Sequence, residues 1–74
     1  MNPETQNAQI LAHLLSGKSI TPMDALQMFG SFRLGARIYD LKAKGYAIQR
    51  QLVTENGKRF AEYWMDAEER ERHG

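Results

Sequence analysis

Cysteine is absent from the chain, which removes disulfide staples and thiolate metal sites together. Long apolar runs are missing as well; none approaches the ~20 residues that a bilayer span requires. The opening Met1-Asn2-Pro3-Glu4-Thr5-Gln6 lacks the basic start and apolar stretch of a secretory leader, so a cytoplasmic location and no membrane partner are expected. His13 and His73 are the two histidines, far apart in the sequence, and Gly17 occupies the position four after His13. No metal pair is expected from them. No nucleophile with a neighbouring base, phosphate-cradling glycine loop or paired carboxylates can be picked out. The expectation is therefore a protein that is not an enzyme, with no cofactor and no small-molecule substrate.

What is present is enough for one small domain: 74 residues, 42% of them hydrophobic. The net charge of +1 conceals an uneven distribution. Between Ser31 and Phe60, seven basic residues (Arg33, Arg37, Lys42, Lys44, Arg50, Lys58, Arg59) stand against Asp40 and Glu55, a balance of +5. The remainder has three basic residues against seven acidic ones, a balance of −4. Positive charge gathered in this way points to a polyanion, and duplex DNA is the foremost one.

Along the chain, Ile10, Leu11, Leu14 and Leu15 share one face of a first helix expected over 3–16, which Gly17 ends. Ser19-Ile20 is long enough only for a stub strand against a later hairpin. Thr21-Pro22-Met23-Asp24 is a helix start: a capping threonine, proline at the first helical position, and an acid three residues after the cap. Ala25, Leu26, Met28 and Phe29 are the apolar members of this short second helix. Gly30 stops it, and Ser31 reads as the cap of a third helix over 32–44. In that helix Leu34, Ile38 and Leu41 form the inward stripe, and Arg33, Arg37, Asp40 and Lys44 mark the other side. Tyr39 and Tyr46 read as the rim of the core.

After Gly45 the period changes to that of strands. Two β-forming runs, 46–54 and 59–65, flank Asn56-Gly57, the pair that a type I′ hairpin turn demands. Alternation puts Ala61, Tyr63 and Met65 inward, opposite Ile48 and Leu52, with Phe60 and Trp64 outward. The residues 66–74 are almost wholly charged and read as a flexible tail beyond a domain spanning 1–65.

Helix, stub, helix, turn, helix, hairpin gives a mainly α fold with a small β-hairpin (α+β), the order of a winged helix-turn-helix. The run Ile20-Thr21-Pro22-Met23-Asp24-Ala25-Leu26, then Phe29-Gly30-Ser31-Phe32-Arg33-Leu34 and Ala36-Arg37-Ile38-Tyr39-Asp40-Leu41, resembles a family of small winged helix-turn-helix DNA-binding proteins found largely in phages, prophages and bacterial genomes. Gly45-Tyr46, Asn56-Gly57-Lys58-Arg59 and Ala61-Glu62-Tyr63 are similar to that family's wing. The resemblance covers roughly 8–65. It implies a transcriptional regulator that binds double-stranded DNA in a sequence-specific way. The rival reading is a winged-helix module that contacts another protein, with homodimerisation compatible with either.

On that frame the third helix enters the major groove with its N-terminal half leading, presenting Ser31, Phe32, Arg33, Ala36 and Arg37. Arginine can take guanine O6 and N7 with two bonds. Arg37 has an alternative within the fold, pairing with Asp40 or Asp24. Thr21, Lys42, Lys44, Lys58 and Arg59 are the candidates for backbone phosphates. Capping already accounts for Thr21, and a helix C-terminus accounts for Lys42 and Lys44.

Overall fold

The order of the elements follows from a few local devices. The computed structural model describes residues 3–73, with α1 at Pro3–Leu15, α2 at Pro22–Phe29 and α3 at Leu34–Ala43. The hairpin strands are β1 at Gln49–Glu55 and β2 at Lys58–Trp64, and α4 follows at Ala67–His73. The capping box at α2 is complete: the Asp24 N–H donates to Thr21 Oγ1 at 3.2 Å, and the Thr21 N–H donates to the Asp24 carboxylate at 3.1 Å. At its far end Gly30 takes φ +65°, and the Ser31 N–H closes the turn onto the Ala25 carbonyl at 3.1 Å.

The hairpin tip is the two-residue Asn56-Gly57 turn, with φ of +52° and +76° and Glu55 paired to Lys58. The stub strand also forms. Ile20 and Tyr63 exchange backbone hydrogen bonds at 2.8 and 2.9 Å, which fastens the entry to α2 alongside β2. Ile10, Leu14, Ile20, Ala25, Leu34, Ile38, Leu41, Ile48 and Met65 make up the buried core. The inward stripe of the third helix and the inward Ile48 and Met65 are thus where the periodicity puts them.

Four expectations are corrected. The third helix starts later than 32, at Leu34, and its cap position is Arg33, whose side chain makes no capping bond. Ser31 is instead buried, 2% exposed, beneath the turn. The first strand starts at Gln49, because the Tyr46 N–H is used to close α3 onto the Leu41 carbonyl and the Ala47 N–H goes to Glu69. Leu52 keeps the parity of the inward face but is 60% exposed, since the hairpin extends past the core it helps to cover.

The fourth correction is the largest: the charged tail is helix α4, not a fraying end. Its acids Glu68 and Glu69 lie in the first turn and its bases Arg70, Arg72 and His73 in the last, as the helix dipole favours. Glu69 turns inward. Its carboxylate accepts from the Ala47 N–H at 2.9 Å, lies 2.6 Å from His73 Nε2 and pairs with Arg72 at 3.3 Å. The Ala47 hydrogen bond first, then the His73 bond and the nearby Arg72 and His73 charges, hold this carboxyl below its ordinary value of 4.5, against the opposing effect of burial.

A carboxyl with a lowered folded-state pKa contributes its stability fully above the unfolded value and loses it as pH falls through the folded one. The thermal stability of the parent should therefore fall on acidification below pH 4.5, and Glu69→Gln should show a shallower acid decline from a lower starting Tm. Superimposable pH profiles for parent and variant would remove Glu69 from this role.

Candidate nucleic-acid interface

The inward stripe of α3 fixes which residues it presents outward. At 100° per residue, Ala36, Tyr39 and Ala43 lie opposite Leu34, Ile38 and Leu41, and all three are exposed. Phe32 and Arg33, just before the helix, are exposed as well. Phe32 is 87% exposed and Tyr39 73%, so Tyr39 lies well outside the core rim expected for it. Gly35 adds a further observation. A Cβ built there meets nothing within 4 Å, so the fold itself has room for a methyl at a helical position where glycine is unfavourable relative to alanine.

Arg37 is different from Arg33. Its side chain is only 15% exposed and its guanidinium pairs with Asp40 at 3.2 Å, while Asn7 of α1 donates to the same carboxylate at 3.4 Å. The alternative within the fold is the one adopted, with Asp40 as partner, and Asp24 is occupied by the Thr21 cap. Of the five residues expected to lead into a groove, Phe32, Arg33 and Ala36 are on the surface, Ser31 is beneath it, and Arg37 is largely covered.

Thr21, Pro22 and Met23 of the α2 start and Lys58, Arg59 and Phe60 of the wing surround one hollow of about 220 Å³. Thr21 is thereby brought together with Lys58 and Arg59, the two cations of the wing. Ser19 is held nearby through a hydrogen bond to Glu62 at 3.2 Å. Lys42 is exposed in the last turn of α3, and Lys44 is its exposed C-cap.

The electrostatics sharpen this division. Asp24 caps α2, Asp40 holds Arg37, Glu62 accepts from Ser19 and Gln51, Asp66 from Trp64 and Gln49, and Glu69 from Ala47. Among the described residues, Arg33, Lys42, Lys44, Arg50, Lys58 and Arg59 form no ion pair. Five of the acids thus serve the fold while six of the block's seven cations, all but Arg37, face solvent.

Phe60 and Trp64, expected on the outer face, are half-buried, and Trp64 Nε1 donates to Asp66 at 3.3 Å. His13 bridges to the Ser19 carbonyl at 2.7 Å and meets Phe29 edge-on at 5.9 Å. Among the described residues no group of three or more His, Asp or Glu is placed to hold a metal ion, and no helix is long and apolar enough to cross a membrane.

A three-helix core with a stub strand and a hairpin wing is the architecture of a winged helix-turn-helix domain. Residues 5–68 match the family described as the winged helix-turn-helix domain, and the chain belongs to it. Searches of curated proteins and of solved structures return no match. Membership in this family points to DNA as the partner and to a module of a kind that is typically non-enzymatic.

Proposed function

We propose that this protein is a sequence-specific double-stranded DNA-binding protein, a small cytoplasmic transcriptional regulator of the phage or prophage type. In this reading the N-terminal half of α3 enters the major groove, and the wing tip rests on the backbone or adjacent minor groove. The observation that carries it is the segregation of charge: acids tied into the fold, and unpaired cations on α3 and the wing. Gly35 supports it, since a glycine that the fold does not require leaves α3 free to approach another surface closely.

The roles are then distinct. Arg33 reads a base, and Phe32 and Ala36 line the same surface. Lys58 and Arg59 neutralise phosphates with Thr21 beside them, and Lys42 and Lys44 extend the backbone contact at the C-terminal end of α3. Ser31 supports the turn from below, and Arg37 fixes α3 against α1 through Asp40. The rival, a protein-contacting module, would offer an outward Phe60/Trp64 pair and a free acidic tail as its contact surface. The first is half-buried and the second is α4, with Glu69 turned inward.

Fluorescence anisotropy with a labelled random duplex at two salt concentrations tests the reading. Four to six phosphate contacts give a log–log salt slope of about −4 to −5. Selection from a randomised duplex pool should then yield a defined site, and Arg33→Ala should relax preference at one position, worth ~1–3 kcal/mol of discrimination. A protein that binds no duplex at low salt would not be a DNA-binding regulator.

A further inference from the structure

We infer that α3 selects thymine-bearing sites through the thymine C5-methyl groups, with Phe32 and Tyr39 as the specificity-determining residues; this rests on the DNA-binding reading above. The major-groove edge of a base pair offers hydrogen-bonding groups and, on thymine alone, an exposed methyl. Asparagine or glutamine suits adenine, aspartate or glutamate suits cytosine, arginine suits guanine, and apolar groups suit the thymine methyl.

The outward surface of α3 and its lead-in consists of Phe32, Arg33, Gly35, Ala36, Tyr39, Lys42 and Ala43. It holds no asparagine or glutamine, and the helix's single acid, Asp40, is committed to Arg37 and Asn7. One forked donor stands at the leading edge, and the centre is apolar and aromatic. The complementary base edges are a guanine for Arg33 flanked by methyl-bearing thymines.

The fold gives no other use for these rings. Phe32 and Tyr39 are the two most exposed of the large hydrophobic residues described and take no part in the core. The ring contacts that do form, His13 with Phe29 and Tyr46 with His73, leave both out. Scattered exposed apolar residues are ordinary. Here, however, Ala36, Tyr39 and Ala43 share one helix face, with Phe32 ahead of it, Arg33 at its head and Lys42 at its flank. Unpaired cations beside an apolar strip suit a groove walled by phosphates.

The test uses the full chain and the duplex recovered by selection, synthesised once with thymine and once with uracil at every thymine, which deletes only the methyls. The parent should bind the uracil form more weakly by about fourfold per contacted thymine, the factor for one buried methyl group, at an unchanged salt slope. The double variant Phe32→Ser/Tyr39→Ser should bind both forms equally. Any general effect of uracil on the duplex acts on parent and variant alike, and the variant's unfolding curve, expected to match the parent's because both side chains are exposed, checks that the fold is intact.

Equal binding of the two forms by the parent, with salt-sensitive duplex binding retained, overturns the thymine inference and leaves the DNA-binding reading standing. A double variant that still discriminates overturns the assignment to Phe32 and Tyr39. Absence of any duplex binding overturns both readings together.

Discussion

Replacing Lys58 and Arg59 together by alanine should lower affinity for duplex DNA about 30-fold at 0.15 M salt and reduce the log–log salt slope by about 2, with base preference unchanged. The magnitude follows from counterion release. Each neutralised phosphate contributes about 0.9 to the slope, so relative to 1 M salt it is worth about fivefold at 0.15 M. Two such contacts multiply to about 30-fold. The fold should not change, because the tip is set by Asn56-Gly57 and by backbone pairing of Glu55 with Lys58 and Thr54 with Arg59. Lys58 lies opposite Glu55 in the register, yet no ion pair joins them. The cost of the substitution is thus confined to binding. Anisotropy titrations across salt check it, and an unchanged slope would take the wing out of the interface.

The parts of this fold that were legible in the sequence are those governed by contacts close along the chain. Thr21 with Asp24, Gly30 at a helix end, Asn56-Gly57 at a hairpin tip, and Leu34, Ile38 and Leu41 on one face all have short-range causes. The misplaced residues have long-range ones. Ser31 reads as a cap by composition, but the turn it closes onto Ala25 buries it and leaves Arg33 at the cap position. Leu52 has the correct parity, but alternation carries no information about where the core ends along a strand. Arg37 showed its partner three residues on, and only the packing of α1 against α3 selects that pairing over solvent. Tyr39 was recoverable: counting 100° per residue from Ile38 sets it with Ala36 and Ala43, away from the stripe. Its side chain is 73% exposed, as that position on the helix requires.

Ending the chain at Met65 should lower Tm by roughly 10 °C, and this tests the boundary that composition suggested. The tail has no apolar stripe, so periodicity assigns it no structure. Its attachments are polar and distant in sequence: Glu69 to the Ala47 N–H, Arg70 over Gly17, and the His73 ring against Tyr46 at 4.4 Å. Gly17 ends α1 with φ +91°, and the Arg70 guanidinium lies directly over it, 2.8 Å from where a Cβ would be. These contacts grip the α1 end and the α3–β1 connection, the segment that sets the wing relative to α3. At ~4–8 °C of Tm per kcal/mol for a domain of this size, even partial loss of that grip is measurable. Hydrogen exchange supplies the local readout, since the Ala47 amide should lose its protection in the truncated chain while Tyr63, paired with Ile20, keeps more of its own. The truncation also removes four acids and two bases, leaving the remaining chain more positive by two and strengthening its attraction to phosphates. Stability and affinity therefore move in opposite directions, which separates a structural role for α4 from a direct role in binding. A truncated chain with the parent's Tm would make 1–65 the self-sufficient unit and α4 a passenger.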